Sequence, residues 1–158
     1  MDIDFLLEPR ITDEAHSAIS VTANFNGFTP LWAIARAYHW DSDLIKAAAE
    51  ECNKKCEVMI LTELNPIVIL VPKTKAEKNI TTIFKDLVDA ANILDIKKLH
   101  FTHYSYMKSK KPLNEIKQIL KILLDPSLHT SIKTVYWDLN ADFKDDVIKT
   151  YKEVLLSL

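Results

Sequence analysis

Short β-branched apolar runs alternate along the chain with longer stretches in which apolar side chains recur every three or four residues. The two periods separate strands from helices. Residues 2–7 and 16–25 (HSAISVTANF) lie between polar breaks and read as strands. Beyond the turn string NGFTP, residues 31–56 place Ile34, Ala37, Tyr38, Ile45, Ala48 and Cys52 at helical spacing, with acids and lysines opposite. The segment divides into two helices, because HWDSD sets a capping aspartate or serine before Leu44. EVMILTELNPIVILVPK then reads as two short buried strands around an Asn-Pro turn, a hairpin. The second half predicts a helix over 80–94, a strand over 97–106, a helix over 113–124, a strand over 132–140 and a closing helix over 145–156.

Strand–helix alternation of this kind predicts an α/β domain of three αβα layers with a mixed, largely parallel sheet. The strands near 18–24, 98–105 and 133–139 are expected to be central and mostly buried. With 158 residues, 48% of them hydrophobic, and no linker or repeat, the pattern predicts one domain over 1–158. Twenty basic against 22 acidic residues supply no global attraction for a polyanion, so neither a nucleic-acid partner nor a membrane is expected. The N-terminal string MDIDFLLEPR lacks the basic start of a secretory signal, and no apolar run approaches the roughly 18 residues of a membrane span. Two cysteines are too few for a disulfide framework, which fits a reducing, cytoplasmic location.

The single glycine, Gly27, changes the picture most, since average usage of about 7% would give roughly 11. Walker-type loops, dinucleotide fingerprints and nucleophile elbows all need glycines for close backbone approach to a ligand or for a strained turn. None can be built here. His100 and His103 fall on opposite faces of a strand, and Cys52 and Cys56 meet on a helix without a second ligand pair. Neither set predicts a metal, and no cofactor is expected.

Several strings carry a resemblance to the macrodomain family, whose members bind ADP-ribose and its relatives. Ile11-Thr12 followed by a strand ending in Ala23-Asn24 resembles the family's opening motif. Ala33-Ile34, Arg36-Ala37 and the helix LIKAAAEEC look like the segment after its first glycine loop. LHFTHYSYMKSKKP lies without gaps on the motif of its second loop, sharing Phe101, Ser105 and Pro112, and TVYWDLN followed by Tyr151 resembles its last strand and helix. The departures are as definite. Pro9-Arg10 stand where the family has its adenine-binding aspartate, the first phosphate loop is the aromatic string FNGFTPLW, and the second loop's glycines fall on Met107 and Lys110.

The resemblance implies a cleft between Asn24–Gly27 and Tyr106–Lys111. Asn24 would orient a sugar hydroxyl beside Asn26 and Gly27, Phe28 or Trp32 would stack on a planar ring, Ser105 and Tyr106 would donate hydrogen bonds, and Lys108 and Lys110 would neutralise phosphate. Each residue also has a plain structural reading: Asn24 as a strand-terminating turn residue, the lysines as a solvated loop, the aromatics as core or interface. The function implied is a divergent macrodomain-like binding module for a nucleotide, an ADP-ribose-related or another small phosphorylated ligand, without ordinary ADP-ribosyl hydrolase activity. The alternative is an interaction or homo-oligomerisation protein whose cleft is filled by aromatic side chains. No nucleophile–base pair or paired carboxylates stand at close spacing, so an enzyme is the least favoured reading.

Overall fold

The computed structural model describes residues 1–6, 15–73, 80–102, 112–138 and 144–158. They form β1 (Asp2–Leu6), β2 (Ser17–Thr22), α1 (Pro30–Ala37), α2 (Ser42–Lys55), β3 (Met59–Leu61), β4 (Ile67–Val71), α3 (Ile80–Ile93), β5 (Lys98–Thr102), α4 (Pro112–Leu123), β6 (Thr134–Asp138) and α5 (Lys144–Leu156). One six-stranded sheet runs in the order β1-β6-β5-β2-β4-β3. Every neighbouring pair is parallel except the β3–β4 hairpin. The expected mixed, largely parallel sheet is therefore present, and β2, β5 and β6 are interior strands. All six residues of β2 are buried, as are the last four of β5 and of β6.

Two apolar layers sandwich the sheet. On one face Ala18, Ile69, Val71, Leu99, Phe101, Val135 and Trp137 pack with α3, α4 and α5 through Phe84, Leu87, Ile116, Leu120, Val147 and Val154. On the other, Ile19, Val21, Val68 and Leu70 pack with Leu31 and Ile34 of α1 and Ile45, Ala49 and Cys52 of α2. Alternation along each strand assigns successive residues to opposite layers.

The helix boundaries follow local chemistry. Thr29 caps α1, with Pro30 in the first turn, where its missing N–H costs nothing. Asp41 caps α2, its Oδ1 accepting from the Asp43 N–H at 2.9 Å, and Cys56 ends that helix in the left-handed region at φ 53°. Asp41→Ala is expected to lose about 1 kcal/mol of stability, read as a lower urea midpoint.

Strand β2 stops three residues short of the expected end. The Ala23 N–H still reaches the Val71 carbonyl at 2.8 Å, but the Asn24 N–H turns back to the Thr22 carbonyl at 2.8 Å, and the chain leaves the sheet. Of the strands expected over 97–106 and 132–140, residues 103–106 and 139–140 lie outside the described residues. Among the described residues, no helix is long and apolar enough to cross a membrane.

Candidate functional site

Because β1, β2, β4, β5 and β6 are mutually parallel, their C-terminal ends share one edge of the sheet. Ligands of open α/β sheets collect at such an edge. Its best-defined part is the segment from Asn24 to α1. Asn26 Nδ2 donates to Asn24 Oδ1 at 2.8 Å, Thr29 Oγ1 donates to the Asn26 carbonyl at 2.7 Å, and the Thr29 N–H donates to that carbonyl at 3.1 Å. Asn53 of α2 anchors the stem: its Nδ2 donates to the Ala23 carbonyl at 2.6 Å and its Oδ1 accepts from the Lys73 N–H at 2.8 Å. The ends of β2 and β4 are thus tied together immediately before Asn24. This positioning role of Asn53 is invisible in helical periodicity, where an asparagine reads as an ordinary polar-face residue.

The aromatic expectations divide. Phe28 is 94% exposed and adopts φ 71°, a left-handed conformation in which a bulky side chain is strained. Its ring lies 5.4 Å from that of Trp32, and the Arg36 guanidinium sits 4.7 Å from the Trp32 ring centroid, within cation–π range. The three make a ladder from the loop before α1 along its outer side, with Phe28 and Arg36 exposed and Trp32 half-buried between them, and the Phe28 ring fills no cleft. Phe25 and Trp40 pack against the α1–α2 layer instead, with Trp40 stacked on Tyr38 at 5.2 Å and 13°. Gly27 is exposed, has no positive φ, and an added Cβ would meet nothing within 4 Å. The left-handed position of this loop therefore falls on Phe28, and the only glycine is not demanded by its geometry.

The other side of the expected cleft, with Ser105, Tyr106, Lys108 and Lys110, lies outside the described residues, as do Pro9, Arg10, His103, Met107 and Lys111. What the structure adds there is the strand floor. Thr102 and Asp138, the last residues of β5 and β6, are 3% and 4% exposed, and Thr102 Oγ1 donates to Asp138 Oδ2 at 2.9 Å. Burial pushes the Asp138 carboxyl up to about 6, against the lowering effect of the Thr102 hydrogen bond. His100 and Tyr136 continue the same face, their rings 5.2 Å apart. The reading of TVYWDLN as a buried strand passed over Asp138. The available signal was a threonine and an aspartate closing two adjoining strands.

Cys52 belongs to the core. Its one S–H has the Glu57 carbonyl at 3.1 Å as acceptor, with the Leu70 carbonyl at 3.7 Å as the alternative, and burial, with a smaller contribution from Cys56, pushes the thiol up to about 12, leaving no nucleophilic thiolate at neutral pH. A groove of about 270 Å³ between α4 and α5 is lined by Asn114, Lys117, Asp146, Lys149, Thr150 and Glu153. Its two lysines face two acids, so it offers no net potential to an anion.

This strand order, with a parallel sheet between two helical layers, is the three-layer α/β architecture of a macrodomain. The chain superimposes on the Trypanosoma brucei macrodomain in complex with ADP with a TM-score of 0.65 at 15% identity, over 98% of this chain and 69% of that one. It matches a second structure of that macrodomain with a TM-score of 0.64 at 16% identity, over 97% and 66%. A mutant tomato leucine aminopeptidase shares the fold more distantly, at a TM-score of 0.56 and 9% identity, over 98% of this chain and 35% of that one. No family model and no curated protein matches the sequence. The expected macrodomain-like fold is present, with a sequence far removed from those structures.

Proposed function

We propose that this chain is a cytoplasmic, single-domain binding module that takes a nucleotide, an ADP-ribose-related or another small phosphorylated ligand at the C-terminal edge of its sheet, and that it is not an ordinary ADP-ribosyl hydrolase. The observation that carries the reading is the convergence at that edge of the Asn24–Gly27 loop and the buried Thr102–Asp138 pair, in a fold shared with a macrodomain solved in complex with ADP. In this reading Asn24 orients a sugar hydroxyl, with Asn26 and Gly27 as the loop around it. Phe28 or Trp32 supplies a stacking face, Ser105 and Tyr106 donate hydrogen bonds, and Lys108 and Lys110 neutralise phosphate. Loss of ordinary hydrolysis is expected from the glycine-poor loops, whose side chains occupy the space through which backbone N–H groups would approach a diphosphate, each lost hydrogen bond to a charged acceptor removing about 1.5–3 kcal/mol.

Thermal denaturation in the presence of ADP-ribose, ADP and ribose 5-phosphate tests the proposal. A ligand at about 100 times its dissociation constant adds about 2.7 kcal/mol, a shift of several degrees. Asn24→Ala is expected to weaken the best ligand at any salt concentration. Lys108→Ala/Lys110→Ala should weaken it mainly at low salt, since exposed point charges are screened. A panel in which nothing shifts the transition overturns the binding reading, and release of ADP-ribose from a modified protein at the rates of active macrodomains overturns the second part. The exposure of Phe28 favours one other reading, contact with a partner or a second copy through the aromatic loop. Sedimentation of the wild type against Phe28→Ala decides it, because a dimer lost in the variant would establish that contact.

A further inference from the structure

The chain carries one glycine, and the fold does not use it as a glycine. Gly27 has no positive φ, and an added Cβ would meet nothing within 4 Å, so the turn would accept a larger residue there. The left-handed position, where glycine is favoured, goes to Phe28 instead. What Gly27 does provide is an unhindered backbone nitrogen directly after an asparagine. The amide nitrogen that follows an asparagine stands where it can close a succinimide ring on the side-chain carbonyl carbon, and only glycine sets no Cβ against that closure.

The surroundings of Asn26 favour the reaction. Asn26, Gly27 and Phe28 are exposed, so water reaches the reacting atoms. The Gly27 N–H donates to no group among the described residues and is open to solvent base. The carbonyl of the same peptide group, that of Asn26, accepts twice from one residue, from Thr29 Oγ1 at 2.7 Å and from the Thr29 N–H at 3.1 Å. When the Gly27 nitrogen loses its proton, amide resonance places much of the charge on that oxygen, and two fixed donors stabilise it as they would any oxyanion. The opposing restraint is one exposed contact, Asn26 Nδ2 to Asn24 Oδ1 at 2.8 Å, which water can replace.

We propose that Asn26–Gly27 is a self-modification site, at which the turn closed by Thr29 activates the Gly27 nitrogen for attack on the Asn26 side chain. The Gly27 nitrogen gives its proton to solvent base and bonds to Asn26 Cγ. The Cγ–Nδ2 bond breaks, and the nitrogen takes a proton from water and leaves as ammonia. Water then opens the succinimide at either carbonyl, leaving an aspartyl or an isoaspartyl residue, with nothing oxidised or reduced. The product has gained a negative charge, and the isoaspartyl form adds a methylene to the main chain of the turn. A consequence for binding rests on the reading above: the new carboxylate lies beside Asn24 and opposes a phosphorylated ligand, so the site loses affinity as it ages.

Incubation of the whole chain at pH 8 and pH 6, followed by mass spectrometry of the tryptic peptide 11–36, tests the site. The wild type is expected to exchange the Asn26 amide for an acid, as two separable isomers and faster at pH 8, while Asn24, followed by Phe25, keeps its amide. Gly27→Ala, which the turn accommodates, should keep both amides. Thr29→Val should slow conversion by about threefold or more, the scale of one hydrogen bond in contact with water, and Thr29→Ser should restore the wild-type rate. Simple loosening of the loop by loss of the cap would speed the reaction instead. A wild type no faster than Gly27→Ala overturns the proposal, as does a Thr29→Val variant that converts at or above the wild-type rate. Titration of ADP into Asn26→Asp and into fresh wild type reads the consequence: the variant should bind more weakly at low salt, with the difference narrowing at high salt. Equal affinity at low salt overturns that consequence. Failure of fresh wild type to bind ADP, ADP-ribose or ribose 5-phosphate overturns the binding reading along with it, and the modification still stands or falls on the mass spectra.

Discussion

Trp137→Ala is expected to destabilise the fold by about 3–5 kcal/mol, the cost of removing a large aromatic side chain from a closed core. Trp137 is 1% exposed and lies at the junction of three elements. Its ring meets Phe101 of β5 edge-on at 4.7 Å and Phe5 of β1 at 5.8 Å, and Phe5 in turn meets Tyr151 of α5 at 5.5 Å. Strand β1 is an edge strand, paired only with β6, so much of its attachment beyond the ladder runs through this aromatic chain. Domains of this kind have about 5–15 kcal/mol of stability in all, so the variant should approach the limit of folding. Its thermal midpoint should fall by about 6–20 °C. Urea denaturation gives the free energy directly, and a loss below about 1 kcal/mol would show that the Trp137 site collapses without leaving a cavity.

The elements were legible because their signals are local. Ile45, Ala48 and Cys52 recur on one side of α2 and are buried there, and the cap expected from HWDSD, an aspartate or a serine, is Asp41. The Asn-Pro turn gave the β3–β4 hairpin for the same reason: turn chemistry is written within a few residues. Sheet order is different in kind. Pairing of β1 with β6, or of β2 with β5, joins residues about 130 positions and 80 positions apart, and no window of sequence contains both partners.

The site shows the same division. Asn24 entered the candidate site through its place in a family motif, whereas the Phe28–Trp32–Arg36 ladder depends on a left-handed backbone at Phe28 that an aromatic residue gives no reason to expect. Asp138 was missed because an acid at the end of an apolar strand ordinarily marks its exit to solvent. Only the register of β5 on β6, which sets His100 beside Tyr136 and Phe101 beside Trp137, brings Thr102 against it and buries both.

The buried carboxylate also makes stability depend on pH, and Asp138→Asn is expected to be more stable than the wild type at pH 8 by up to about 3 kcal/mol. In the folded state the Asp138 carboxyl is pushed up to about 6 from an ordinary value of 3.8. A folded value above the unfolded one means that, between those limits, the folded state holds a proton that the unfolded state has released. The wild type should therefore gain stability as the pH falls through about 6, levelling near pH 4, with about two pKa units corresponding to about 3 kcal/mol. Glu115 is raised by partial burial and acts in the same direction, whereas Glu51, Asp95 and Asp125 are lowered by their Lys55, Lys97 and Ser127 partners and withdraw stability only at lower pH. His100 and Tyr136 share the face with Asp138, and Asp4 of β1 stands in register with Tyr136, so the wild-type curve alone mixes several groups. The difference between wild type and Asp138→Asn isolates one. Urea midpoints at pH 8, 6.5 and 5 should show the advantage of the variant shrinking steadily as Asp138 takes up its proton. A difference independent of pH would mean that the carboxylate is not charged and buried at pH 8. The Asp138 carboxylate is thus buried at a cost to folding at pH 8, and that cost is what the comparison with Asp138→Asn reads.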